Sequence, residues 1–163
     1  MSESKFKTMR HIETVRNIIG FVIRRLTMLS EKHDQTKLES PEVEIFEEYT
    51  PKLRGVTYGS DEYKRYMKEM KVAIDHHNAA NAHHPEHFKN GIRGMDLLVL
   101  IEMICDWKAA SLRHDDGDIL KSIKINQKRF GYSDELAEIF YNTAILLNVA
   151  IINDEIIHKA DES

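Results

Sequence analysis

"MDLLVLIEMICDWKAASL", residues 95–112, carries apolar side chains on nearly every side of a helical wheel, with no glycine or proline to interrupt it. A helix of that kind belongs at the centre of a fold, contacted from several directions, and it predicts further helices around it. The rest of the chain keeps the same period. Three prolines and seven glycines punctuate the 163 residues, and between them apolar residues recur three and four apart rather than alternately. The fold class expected is all-α, a compact bundle of about six helices.

Upstream, the spacing predicts a helix from about Lys7 into the thirties, with Ile12, Val15, Ile18, Ile19, Val22, Ile23, Leu26 and Leu29 as its apolar stripe. "ESPEVEIFEEY" begins a second helix, with Ser40 as N-cap and Pro41 at the first helical position, where its missing N–H does no harm. "TPKLRGVTYG" reads as a loop. A third helix opens at Ser60 and Asp61 and continues through "EYKRYMKEMKVAIDHHNAAN". "HHPEHFKNGIRG" then breaks regularity, because Pro85 biases His84 away from helical backbone and Gly91 and Gly94 follow. After the central helix, "RHDDGD" is a turn that lacks the spacing and terminal glutamate of a calcium loop. Two more helices are expected, at about 118–130 and 134–159.

A chain of this length with 42% hydrophobic residues forms one domain. Its functional part spans about 7–112, and the helices of about 118–159 pack behind it. The net charge of −4 leaves no basic excess for holding a long nucleic acid. "KSIKINQKR" groups Lys121, Lys124, Lys128 and Arg129, which reads first as a solvated face. "MSESKFKTMR" has no apolar leader, and no apolar run approaches the ~20 residues of a membrane span. The expectation is a cytoplasmic protein without a membrane partner. The last helix, with Leu136, Ile139, Phe140, Leu147 and Ile151, packs either within the monomer or against a second copy in a homo-oligomer. The single cysteine, Cys105, excludes an intrachain disulfide and a thiolate-rich zinc knuckle.

The chemistry is expected from histidines and carboxylates. Five of the nine histidines fall within "HHNAANAHHPEH", residues 76–87. In the third helix Tyr63, Tyr66, Met67, Met70, Ile74 and His77 share one face, so His77 points inward and His76, about 100° away, points outward. In the first helix His11 and His33 lie on the apolar stripe and point toward the core. In the central helix Glu102 and Asp106 are one turn apart, and two buried carboxylates on one face repel unless a cation or a proton lies between them. His11, His33, Asp34, His77, the pair His83 and His84, and Asp106 thus supply imidazoles and carboxylates from four segments. That donor set suits Mn, Fe, Co or Zn better than Ca or Mg. Lys37, four residues after His33 and three after Asp34, would project over the same patch on a continuing helix, where an ammonium can hold a phosphate oxygen. Asn81 and Glu86 are candidates to orient ligands or substrate.

The ordered set of His, His-Asp, His, His-His and Asp resembles the HD-domain metal-dependent phosphohydrolase superfamily over about 7–112. "HDQTKL", "HNAANAHHPEHF" and "EMICDW" most resemble a small bacterial and phage family without an assigned activity. The resemblance implies a first metal held by His11, His33, Asp34 and Asp106, with Asp34 bridging to a second held by His77 and one or both of His83 and His84. It implies two divalent ions and water-based hydrolysis of a nucleotide or similar small phosphate ester, with Asp34, Lys37 and Glu86 as catalytic candidates. The HD-GYP branch carries a similarly spaced lysine, but here "HHPEHF" replaces its "GYP". The alternative expectation is a catalytically inactive regulatory module that binds metal and nucleotide.

Overall fold

A computed structural model describes residues 2–54, 56, 60–113 and 117–152. Among these residues there are no strands. The α-helices are α1 (Glu3–Lys32), α2 (Glu42–Leu53), α3 (Asp61–Glu69), α4 (Lys71–Ala80), α5 (Leu97–Ser111), α6 (Ile119–Phe130) and α7 (Asp134–Ile152). Short 3-10 turns lie at Gln35–Leu38, Pro85–His87 and Gly91–Gly94. The all-α expectation holds, with seven α-helices where about six were expected. The extra one arises because the third predicted helix divides at Met70, whose backbone (φ −77°, ψ −1°) leaves the helical path. The inward face survives the division, since Met70, Ala73 and His77 are all buried. The stretch of the last predicted helix beyond residue 152, and residues 114–116 of the "RHDDGD" turn, lie outside the described residues.

The apolar core lies between α5, α6 and α7, where Met103, Ile104, Ile123, Phe140 and Ala144 are 3% exposed or less. Trp107 packs beside it against Phe130 and Phe140, and the Tyr132 hydroxyl donates to the Ile123 carbonyl at 2.6 Å. At the other end, α2 and α4 pack together, and α1 meets α5. Two sequence expectations change here. α5 is not covered on all sides, since Leu97 and Ile101 are exposed. α1 has no buried residue, and Ile12, Val15, Ile18, Ile19 and Ile23 on its stripe are exposed. The reason is length: thirty residues rise about 45 Å, while its groove with α5 is lined only by residues from Leu26 onward. No helix among the described residues is long and apolar enough to cross a membrane.

The loop that carries His83 and His84 is held at both ends. His87 Nδ1 donates to the Ala79 carbonyl at 2.6 Å. A Cβ at Gly94 would come within 2.8 Å of the Phe88 Cβ, so only glycine lets the loop close there.

Candidate metal centre

The centre is built where α1 stops. His33 caps the helix with non-helical backbone (φ −52°, ψ 125°) and Asp34 follows at φ +57°, the one non-glycine residue with positive φ among the described residues. Aspartate tolerates that left-handed conformation better than most residues. The reversal turns the Asp34 carboxylate toward α4, and the 3-10 turn that follows places Lys37 Nζ 2.5 Å from Asp34 Oδ2. Lys37 therefore reaches the patch through a turn rather than along a continuing helix.

Donor atoms of Asp34, His77, His83 and His84 lie within 4.8 Å of one another. Asp34 Oδ1 stands 3.2 Å from His77 Nε2 and 3.4 Å from His83 Nε2. Those three atoms and His84 Nε2 are all buried and make no hydrogen bond. Four buried polar atoms without partners, aimed at one another, incur a desolvation penalty of about 1–3 kcal/mol each. A cation shared between them removes that penalty, and donors at roughly 2.0–2.2 Å from one ion would stand roughly 3–4 Å apart.

Two further groups adjoin this one: His33, Asp34 and Asp106, and His33, His83 and Glu102. His33 Nε2 lies 3.6 Å from Asp34 Oδ2 and 3.7 Å from Asp106 Oδ1. Its Nδ1 is 3.0 Å from Glu102 Oε1, and His83 Nδ1 is 3.2 Å from the same oxygen. Glu102 can therefore hold the back of two imidazoles whose Nε2 atoms face the donors. Asp34 belongs to two of the groups and stands between them.

The second nitrogen of His77 is fixed in the same way. Glu42, with no exposed surface, accepts from His77 Nδ1 at 2.8 Å and from His76 Nδ1 at 2.7 Å. Asn81 donates to the His77 carbonyl at 2.9 Å and to Thr36 Oγ1 at 2.8 Å. A proton on His77 Nδ1 leaves Nε2 with its lone pair toward Asp34, the tautomer a metal ligand needs.

The electrostatics follow from this crowding. Burial alone would raise the carboxyl of Asp34, but the His77 and His83 rings and the Lys37 ammonium hold it well below the usual range. Glu102 is likewise lowered to about 2, its burial outweighed by His33 and His83. Burial opposes ionisation of Asp106 and Glu42 too, yet His33 lowers the first, and His76, Thr36 and His77 lower the second. Asp106 and then Glu102 push His33 up to about 10. His84 is lowered to about 4 by burial and by the neighbouring His83 and His77. Four ionised carboxylates thus adjoin a group of imidazoles, of which His84 is kept neutral.

Among the residues expected from sequence, His33, Asp34, His77, His83, His84 and Asp106 come together, with Lys37 beside them. His11 does not. It is exposed on α1, twenty-two residues before His33 and so about 33 Å along the helix. Glu86 is drawn away by Arg129 of α6, which donates to it at 2.8 Å. His76 is half-exposed, as its helical phase predicts, but shares the Glu42 carboxylate with His77. Glu42 itself escaped the sequence reading because α2 starts one residue later than expected: Pro41 is the N-cap, Ser40 makes no cap, and Glu42 turns inward. Glu102 was legible as a buried carboxylate beside Asp106, though not as a partner of two histidines.

One protein-family model, described as a family of unknown function (DUF5662), matches residues 1–151. No curated protein and no solved structure matches the chain.

Proposed function

The chain belongs to the DUF5662 family, and from its own site we propose that it is a metal-dependent phosphohydrolase of the HD type, acting on a nucleotide or similar small phosphate ester. The observation that carries the reading is the convergence of Asp34 Oδ1 with the Nε2 atoms of His77, His83 and His84, all buried and unpartnered. Beside it, His33, Asp34 and Asp106 form a second donor group that shares Asp34, which suits two ions rather than one. Imidazole-rich donors with carboxylates favour Mn, Fe, Co or Zn. Such ions would supply an activated water and charge stabilisation for an in-line phosphoryl displacement.

The chain's own residues would do the rest. Glu42 and Glu102 keep protons on the outer nitrogens of His77, His33 and His83, so that the inner nitrogens remain donors. Lys37, now paired with Asp34 Oδ2, would turn to a phosphate oxygen once Asp34 is engaged by metal, an exchange that needs only rotation of its side chain. A groove of about 360 Å³ lined by Lys32, Gln35, Thr36, Asn81, His83 and Glu102 offers polar contacts next to the donors, as a phosphorylated ligand requires.

The test is a panel of nucleoside mono-, di- and triphosphates and cyclic nucleotides incubated with Mn²⁺- or Co²⁺-loaded protein. Release of phosphate or nucleoside, or opening of a cyclic nucleotide to its monophosphate, that vanishes in Asp34→Ala supports the reading. No product across the panel, with both ions confirmed in place, replaces it by a metal-bound regulatory module.

A further inference from the structure

α1 leaves bare much of the face that its own end partly covers. Leu26, Leu29 and His33 line a groove against α5, and the same helical face continues upstream through Val22, Ile19, Val15, Ile12 and His11. No Asp, Glu, Lys or Arg falls on the centre of that face from Thr8 to His33. Ile12, Val15, Ile18 and Ile19 on that face are 39–59% exposed. They leave on the order of 350 Å² of apolar surface on one helix face, a patch of the size that is often functional. It amounts to nearly half of the ~800 Å² per partner of a stable interface, to which the apolar walls of the groove beside α5 add.

We propose that two copies of this chain pair through antiparallel α1 helices about a two-fold axis at Val22, and that His11 of each copy enters the His33–Asp34–Asp106 group of the other. The second half rests on the metal reading above; the first does not. Val22 is eleven residues from both His11 and His33, so an axis there lays His11 of one copy beside His33 of the other. It also lays Val15 against Leu29 and Ile18 against Leu26, apolar on apolar along a three-and-four seam. A two-fold pairing is closed and uses the same patch on both copies.

The groove that would receive the second copy fits a helix better than a phosphorylated ligand. It has about 370 Å³ of space, walls of Leu26, Leu29, Ile101, Cys105 and Ala109, and no lysine or arginine in its lining. His33, Glu102 and Asp106 also line it, so a helix seated there brings its own side chains to the donors. The His33–Asp34–Asp106 group has three donors, and a fourth, the His11 imidazole, would complete a tetrahedral set or leave water positions in a larger one.

Pairing is tested first without metal. In a Cys105→Ser background, Val22→Cys should cross-link into a covalent dimer under mild oxidation, while Arg24→Cys, about 160° round α1 from Val22, should not. Ile19→Glu should convert the dimer to a single chain by light scattering, and Leu146→Glu on the exposed face of α7 should leave it intact. A wild-type protein of single-chain mass, or a dimer broken by Leu146→Glu and not by Ile19→Glu, overturns the pairing. The shared site is tested by mixing chains. His11→Ala and Asp34→Ala each weaken binding of Mn²⁺, by about tenfold or more, and dissociated and reassociated mixtures regain a tight site, because one copy supplies His11 and the other Asp34. A wild type that binds Mn²⁺ tightly but whose mixed variants regain nothing overturns the shared site alone. A wild type that binds no metal refutes the metal reading and the role of His11 together, while the cross-link still reports on the pairing.

Discussion

Replacing Glu42 by Gln separates a residue that tunes a metal site from one that merely fills a core. The Glu42 carboxylate has no exposed surface and accepts from His77 Nδ1 at 2.8 Å and from His76 Nδ1 at 2.7 Å. It is ionised, because those two histidines and Thr36 outweigh its burial. Glutamine preserves volume and one acceptor, but turns an NH₂ donor toward one of two N–H groups. Losing one charge-assisted hydrogen bond costs about 1.5–3 kcal/mol, or His77 moves its proton to Nε2, where it blocks the donor set. Through either route metal affinity should fall by about 10–100-fold, the usual effect of removing a ligand's outer partner. That equals about 1.4–2.7 kcal/mol of binding free energy. Competition of Mn²⁺ or Zn²⁺ against a fluorescent chelator measures it, with urea unfolding of the metal-free protein run alongside. If metal affinity equals that of the wild type while stability falls, Glu42 is a core residue and the argument from His77's tautomer is refuted.

Asp34→Ala removes the donor common to two groups, so the purified variant should lose its metal on desalting and melt at lower temperature than wild type; unchanged metal content measured by mass spectrometry would contradict this. His77→Ala should weaken binding far more than His76→Ala, since both touch Glu42 but only His77 faces Asp34, and calorimetric titration that finds equal effects would show that His76 is also a ligand. Lys37→Ala should raise KM or lower kcat for the preferred phosphate ester while leaving the metal content intact, which steady-state kinetics on metal-quantified protein would check. His33, pushed up to about 10 from its ordinary 6.5, stabilises the metal-free fold while protonated, so that contribution is complete below pH 6.5 and is lost as pH rises toward 10. The Tm of metal-free protein should therefore decline across that window, and Mn²⁺, which needs the neutral ring, should bind more tightly across it; a metal-free Tm that is flat between those limits would count against the His33 network.

Helical periodicity told which side chains share a face, and for α4 that sufficed: His77 was separable from His76 because only His77 extends the line of Met70 and Ile74. The same reasoning placed Asp106 and Glu102 together on α5. It failed where an inward face was inferred from apolar character alone. His11 and the upstream stripe of α1 are as apolar as the downstream part, but a helix of thirty residues outruns the body that covers it, and no local pattern reports how far that body extends. Glu42 was illegible for another reason. Its inward turn depends on a helix start shifted by one residue, and boundary shifts of that size lie within the usual uncertainty of helix ends. The left-handed conformation of Asp34 also has no glycine to announce it, so periodicity alone continues the helix through the turn that brings Lys37 onto the donors.

The central claim is that Asp34 holds metal between His77, His83 and His84 on one side and His33 and Asp106 on the other. Anomalous diffraction from crystals grown with Mn²⁺ or Co²⁺ tests it most directly, because the peaks locate the ions independently of the protein atoms. The account predicts two peaks that flank the Asp34 carboxylate, about 3.5–4 Å apart, one within bonding distance of His77 Nε2 and the other of His33 Nε2. Crystals with full metal in the mother liquor and no anomalous peak within bonding distance of Asp34 would contradict it.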